Sequence, residues 1–291
     1  MKLILAQPSV PRFQWELEVL LTNISSWFDL NNVILLFSKH DPTVPRYLVN
    51  KFPGVQCFIY EDKRTEHIYI SSIRSYLWWQ FLSKDPAREQ ETYFYIDSDT
   101  IFREPLDFSK IGFDENTWVG SECPGYIDYK YIAGCKNGPA LAEYMAHICG
   151  ITLDQLKAVP PAGAQMIMVK PTAAYWERNY RDTTEMYRYL ANSGSDIQFW
   201  TTDMWTTIYG AIREGKTIKV SPEMAFCTAT DDIDKWDKTK IMHNAGVTGA
   251  GGDLFFKGQY TATVPFGEDF SYVNKQKCSV KYVEAIQKVV R

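Results

Sequence analysis

Asp97-Ser98-Asp99 carries the most chemistry in this 291-residue chain. The triplet ends the run Tyr93-Phe94-Tyr95-Ile96 and is followed by Thr100-Ile101-Phe102, aromatic and β-branched residues that read as a buried strand. Two carboxylates at the tip of such a strand are costly to bury unless a positive partner sits with them. A divalent cation is the simplest partner, because carboxylates at i and i+2 of an extended chain point the same way and can share one ion. An ion held by only two protein carboxylates keeps open positions, which nucleotide phosphate oxygens commonly fill. The plainer alternative is a solvated Asp-x-Asp turn, and the strand context weighs against it. His243 is the second residue of this kind: it ends the apolar segment Ile241-Met242 and opens His243-Asn244-Ala245-Gly246. A lone histidine is more often structural than a ligand. This one would complete a two-carboxylate site whose oxygen and imidazole set suits Mn²⁺ better than Ca²⁺, with Mg²⁺ as the alternative.

The elements that must position these groups follow from hydrophobic period. Residues 2–7 read as a strand, 14–28 as a helix, 33–37 and 55–60 as strands, 68–82 as an aromatic-rich helix and 92–96 as the strand ending at the acidic pair. This β-α-β-β-α-β order predicts an α/β fold with a mostly parallel, nucleotide-binding central sheet flanked by helices. Such sheets bind ligands at the carboxyl ends of their strands, where Asp97 and Asp99 fall. In the second half, 118–120 and 164–169 read as strands, 241–243 as a short apolar segment, 139–149, 172–192 and 202–214 as helical, 246–252 as a Gly-rich mobile stretch, and 280–290 as a final helix with Ser279 as its cap. Without a repeat or linker, residues 1–291 are expected to form one domain, with a nucleotide half (1–110) and an acceptor half (111–291).

Composition narrows the class. Hydrophobic residues at 45% and charged residues at 23% are ordinary for a globular protein. A net charge of −4 argues against a broad nucleic-acid surface. Aromatics reach 15%, enough either for a heavily aromatic core or for a cleft with flat faces for sugars or bases. The longest clean apolar run, Val33-Ile34-Leu35-Leu36-Phe37, is far too short to span a membrane, and the start Met1–Ala6 is too short for a signal peptide. The six cysteines form no CxxC pair, so reduced thiols in a cytoplasmic protein are expected.

The strand ending in Asp97-Ser98-Asp99 and the later His243-x-x-Gly246 resemble GT-A glycosyltransferases, most nearly the retaining group of glycogenin and the bacterial lipopolysaccharide galactosyltransferases. Three further stretches are similar in kind: Ile73-Arg74-Ser75-Tyr76-Leu77, Ala162-Gly163-Ala164-Gln165-Met166-Ile167-Met168, and Thr202-Asp203-Met204-Trp205. Met242–Val247, with Phe255-Phe256-Lys257-Gly258, also resembles phage-encoded glycosyltransferases. The resemblance covers about residues 1–265. It departs where Ala162 or Pro161 replaces an asparagine, and where Gly249 replaces a lysine whose charge Lys257 can supply from a longer loop.

The resemblance implies a single GT-A domain that transfers a sugar from a nucleotide sugar, with uridine diphosphate as the expected carrier, and with retention. Asp97, Asp99 and His243 would hold the metal, with Gln7, Pro8, Ser98 and Gly246 around the donor. Arg74 and Lys257 would add positive charge at the phosphates, unless they are an ordinary helix arginine and loop lysine. Asp203 is either a first-turn acid or a carboxylate for the sugar hydroxyls and the developing oxocarbenium ion, and Gln165 is the other polar group expected under the sugar. Trp200, Trp205 and Tyr209 would line an acceptor cleft, though Trp205 and Tyr209 at i, i+4 fit a buried helix face equally well. The acceptor stays open among a glycan, a protein, a small molecule and a modified DNA base; the last needs base extrusion or single-strand access. A nucleotidyltransferase would want a Gly-rich loop after the first strand, where Gln7-Pro8-Ser9-Val10-Pro11 has no glycine. A non-catalytic sugar-binding protein would need no intact metal set.

Overall fold

A computed structural model of the chain describes residues 1–290. In its first half, strands β1 (Lys2–Pro8), β2 (Val33–Ser38), β3 (Gln56–Tyr60), β4 (Thr92–Tyr95), β5 (Thr100–Phe102) and β6 (Thr117–Glu122) alternate with helices α1 (Pro11–Ile24), α2 (Thr43–Lys51) and α3 (Ser72–Ser83). Helices α4 (Tyr129–Gly134), α5 (Gly138–Cys149) and α6 (Leu153–Ala158) precede β7 (Ala162–Val169), α7 (Ala173–Ala191), α8 (Thr202–Arg213) and β8 (Thr217–Val220). Then come β9 (Phe226–Thr228), α9 (Ile233–Lys238), β10 (Ile241–His243) and α10 (Ser279–Gln287). The central sheet has seven strands, mostly parallel and flanked by helices, and β5, β10 and β9 form a second sheet of three.

The expected β-α-β-β-α-β opening is corrected to β-α-β-α-β-α-β by α2. Its Pro45 looks like a helix breaker but stands in the first turn, where no backbone N–H is required. Asp41 starts the helix by accepting from the Thr43 amide at 2.8 Å and its hydroxyl at 2.6 Å.

The chain divides into two compact units. One comprises Leu3–Ile59, Ile96–Lys110 and Glu223–Arg291. It contributes β3-β2-β1, with β1 and β2 parallel from Leu3↔Val33 to Pro8↔Ser38, together with the small sheet. There β10 runs antiparallel to β5, setting His243 opposite Thr100, and parallel to β9. A core of Trp15 and Val19 from α1, Ile101, Met242, Phe255 and Tyr282 lies against these strands. The Trp15 indole donates to the Tyr260 carbonyl at 2.9 Å, and Phe255 stacks on Tyr260. Ser279 does not cap α10 as expected: it is the first helical residue, and its hydroxyl accepts from the Phe255 amide at 2.8 Å. Ser279→Ala should therefore leave a buried donor unpaired and lower stability by about 1–3 kcal/mol in urea unfolding; an unchanged midpoint would show that this bond holds nothing.

The other unit comprises Met1–Lys2, Tyr60–Tyr95 and Ile111–Pro222, and contributes β4-β7-β6-β8. Helix α3 is apolar on nearly every side and correspondingly buried, and its Trp78 stacks on Trp176 of α7 at 4.9 Å. Trp205 and Tyr209 of α8 are fully buried, so the helix-face alternative holds for both, while Trp200 is 58% exposed. β7 pairs antiparallel with both β4 and β6. The register with β6 slips from Gly120↔Met166 to Ser121↔Gly163, leaving Ala164 and Gln165 as a bulge. Ala164 takes φ of 54°, a left-handed conformation that a Cβ disfavours by roughly 1–2 kcal/mol. Among the described residues, no helix is long and apolar enough to cross a membrane.

Candidate functional site

Asp97 and Asp99 lie just beyond β4, and the pairing of β5 with β10 carries His243 to them. The Asn244 amide donates to the Asp99 carbonyl at 2.9 Å and extends that pairing by one residue. His243 Nε2 stands 3.2 Å from Asp99 Oδ1 and 3.5 Å from Asp97 Oδ2. The three residues each offer a ligand atom within 4.8 Å of the others. Two carboxylate oxygens and an imidazole nitrogen at this spacing fit Mn²⁺ or Mg²⁺. The acidic run Asp231-Asp232-Ile233-Asp234 is different in kind, since its three aspartates pair with Lys235, Lys277 and Lys238.

Lys257 Nζ contacts the other oxygen of Asp99, so one carboxylate faces His243 with Oδ1 and the lysine with Oδ2. Beneath them Glu16, only 1% exposed, accepts from the Ser98 hydroxyl at 2.5 Å and from Arg12 Nε at 2.9 Å. The charges set each other's protonation. Burial pushes Asp99 upward, but Lys257 and then His243 overcome it and hold the carboxyl far below the usual range. Burial opposes charge on His243, yet Asp99 and then Asp97 raise its pKa above the ordinary 6.5. Burial likewise opposes charge on Lys257, and Asp99 more than offsets it, so the ammonium persists. Glu16 is raised, first by burial and then by Asp99.

In the other unit Arg74 meets Asp203 rather than standing as a free helix arginine. Both side chains are 11% exposed, and the guanidinium lies over the Tyr95 ring at 4.8 Å. Asp203 is a first-turn acid of α8. Tyr69 Oη sits 2.7 Å from Asp203 Oδ1, 2.7 Å from the Trp200 carbonyl and 3.3 Å from the Asp203 amide, which donates to it. Burial, then Asp203, raises the Tyr69 pKa, so the phenol keeps its proton. Gln165 is wholly buried in the β7 bulge. Its Oε1 accepts from the Ser121 hydroxyl at 2.6 Å, while its Nε2 has no partner.

Gln7 and Pro8 end β1, and the Gln7 Nε2 is also buried without a partner. Gly246 has φ of 90°, and a Cβ there would lie 3.2 Å from the Thr230 side chain, so the turn after His243 favours glycine for two reasons. Sequence reasoning missed Arg12, Glu16, Tyr69 and Asn244. The first two carry a faint signal as an i, i+4 ion pair. Asn244 is 2% exposed with both amide atoms unpartnered, and nothing local in the sequence announces it.

No protein-family model matches the sequence, nor does any curated protein. Solved structures do match. The bifunctional glycosyltransferase WbbM, in its apo form, superposes with a TM-score of 0.54 at 12% identity over 99% of this chain. The chain spans 49% of that protein's length. The galactosyltransferase LgtC, solved with donor and acceptor sugar analogues, superposes with a TM-score of 0.53 at 11% identity, covering 100% of this chain and 97% of LgtC. The chain therefore has the GT-A type fold of these glycosyltransferases.

Proposed function

We propose that the chain is a metal-dependent glycosyltransferase that moves a sugar from a nucleoside diphosphate sugar, with uridine diphosphate as carrier, to an acceptor hydroxyl with retention. The convergence of Asp97, Asp99 and His243 on one point, within this fold, carries the reading. Asp97, Asp99 and His243 would hold Mn²⁺ or Mg²⁺, which when bound would neutralise charge developing on the leaving diphosphate. Lys257 fixes Asp99 in its ionised form and places a permanent ammonium beside it. Gly246 lets the chain turn directly after His243, and Ser98, tied to Glu16, steadies the segment between the two aspartates. Gln7 and Pro8 are assigned to the nucleoside, with the unpartnered Gln7 Nε2 as a donor to it.

Asp203, ion-paired with Arg74, is assigned to the sugar hydroxyls. Gln165, with a free amide donor, is assigned to the reacting sugar face. These assignments rest on the resemblance and on the two buried polar groups. Six free thiols suit a reducing compartment, in line with a cytoplasmic protein. A nucleotidyltransferase is disfavoured by the glycine-free turn after β1.

A thermal-shift screen of nucleoside diphosphates, with and without Mn²⁺, tests the reading. Uridine diphosphate with Mn²⁺ at 100 times its dissociation constant should add about 2.7 kcal/mol. The effect should be smaller at pH 6 than at pH 8. Proton and metal compete for His243 Nε2, and its raised pKa carries that competition above pH 6.5. His243→Ala should flatten the pH dependence. Stabilisation by nucleotide that ignores Mn²⁺ at both pH values would remove the metal site from the mechanism.

A further inference from the structure

An open groove of about 600 Å³ runs along the outer face of α7 and uses none of the residues assigned above. Tyr180, Thr184 and Arg188 recur at i, i+4 and i+8 on its floor. Tyr180 is held by stacking on Trp79, and Tyr189 stacks on Tyr144 of α5 at 3.7 Å. The two aromatic positions are nine residues apart on α7, roughly 13 Å of rise and about half a turn, so they stand at opposite edges of the groove with room for more than one pyranose ring between them. Between them stand Arg181, Arg188, Glu66 and Glu185, two positive and two negative groups. Arg188 is paired with Glu66, and Arg181 with Glu177.

We propose that this groove is a binding site for a neutral oligosaccharide. The size suits a small-molecule site. Fixed tyrosine rings offer apolar faces to the C–H faces of pyranoses. The paired guanidinium and carboxylate groups, with the Thr184 hydroxyl, offer donors and acceptors to sugar hydroxyls while cancelling in charge. That cancellation disfavours an anion such as a phosphate or a nucleic acid, which would draw on an uncompensated cationic surface. The binding itself does not require transfer.

Saturation-transfer NMR with maltotetraose, cellotetraose and chitotetraose, without donor or metal, isolates this site from the proposed catalysis. At least one tetrasaccharide should receive saturation. The signal should fall at least fivefold in Tyr189→Ala and in Glu185→Ala, the latter an exposed residue whose loss leaves the fold intact, and should persist in Tyr189→Phe. No transfer to any of the three, or an undiminished signal in both alanine variants, would overturn the proposal. Competition by a short single-stranded oligonucleotide would overturn the assignment of a neutral ligand.

Discussion

Asp99→Asn should lower sugar transfer about a thousandfold, close to 4 kcal/mol of transition-state stabilisation, while the protein remains folded at 25 °C. Asp99 faces both His243 and Lys257. The amide keeps the shape and a carbonyl oxygen that can still accept from Lys257, but it cannot supply a charged ligand. Some loss of thermal stability should accompany this, and it should depend on pH. Since the folded Asp99 carboxyl titrates far below its unfolded value, its contribution is present above about pH 4 and is lost as pH falls through and below that point. The variant should therefore lose less stability than the parent on acidification from pH 6 to pH 3. Transfer within tenfold of the parent, measured by release of nucleoside diphosphate in the presence of acceptor, would mean that no ion is needed at Asp99.

The second large effect concerns Arg74 and Asp203. Asp203→Ala removes the carboxylate paired with a guanidinium that is only 11% exposed, and breaking such a pair from one side costs about 3–5 kcal/mol. Replacing both partners by apolar residues of similar volume, Arg74→Met with Asp203→Leu, should recover most of that stability. Activity separates scaffold from chemistry. If Asp203 binds the sugar, the double variant is as stable as the parent and inactive. If the pair is only a strut tying α3 to α8, the double variant transfers sugar normally and the catalytic assignment falls.

The features legible in the sequence were local ones. A hydrophobic strand that stops at two carboxylates announces itself by pattern, and His243 stands at the end of its own short apolar segment. Lys257 was legible as a charge but not as the partner of Asp99, 158 residues away. The Gln165 bulge was hidden, because it is a mismatch between β6 and β7 that neither strand encodes alone. Glu16 was hidden for another reason. An i, i+4 Arg12–Glu16 pair looks like a solvated helix face, but α1 is buried along most of its length, and the pair sits beneath Ser98 instead. Helix α2 was absent from the expected order, because nothing was read between the strands at 33–37 and 55–60, where Asp41 starts a short helix with Pro45 in its first turn.

The tail that delivers Lys257 has a consequence for the order of assembly. Phe255 is wedged among Trp15, Tyr260 and Tyr282, and its amide is pinned by Ser279. The ammonium therefore reaches Asp99 only after the start of α10 has docked on α1. During synthesis both aspartates and the histidine leave the ribosome before Lys257 and α10 do, as a cluster of like charges with a single imidazole among them. The ribosome therefore has to release residue 279 and more before Phe255 and Lys257 can dock and the cluster find its counter-ion. A protease that cuts between His243 and Phe255 would leave every metal ligand untouched and Lys257 still held beside Asp99 through the packing of Phe255 on Trp15 and Tyr282.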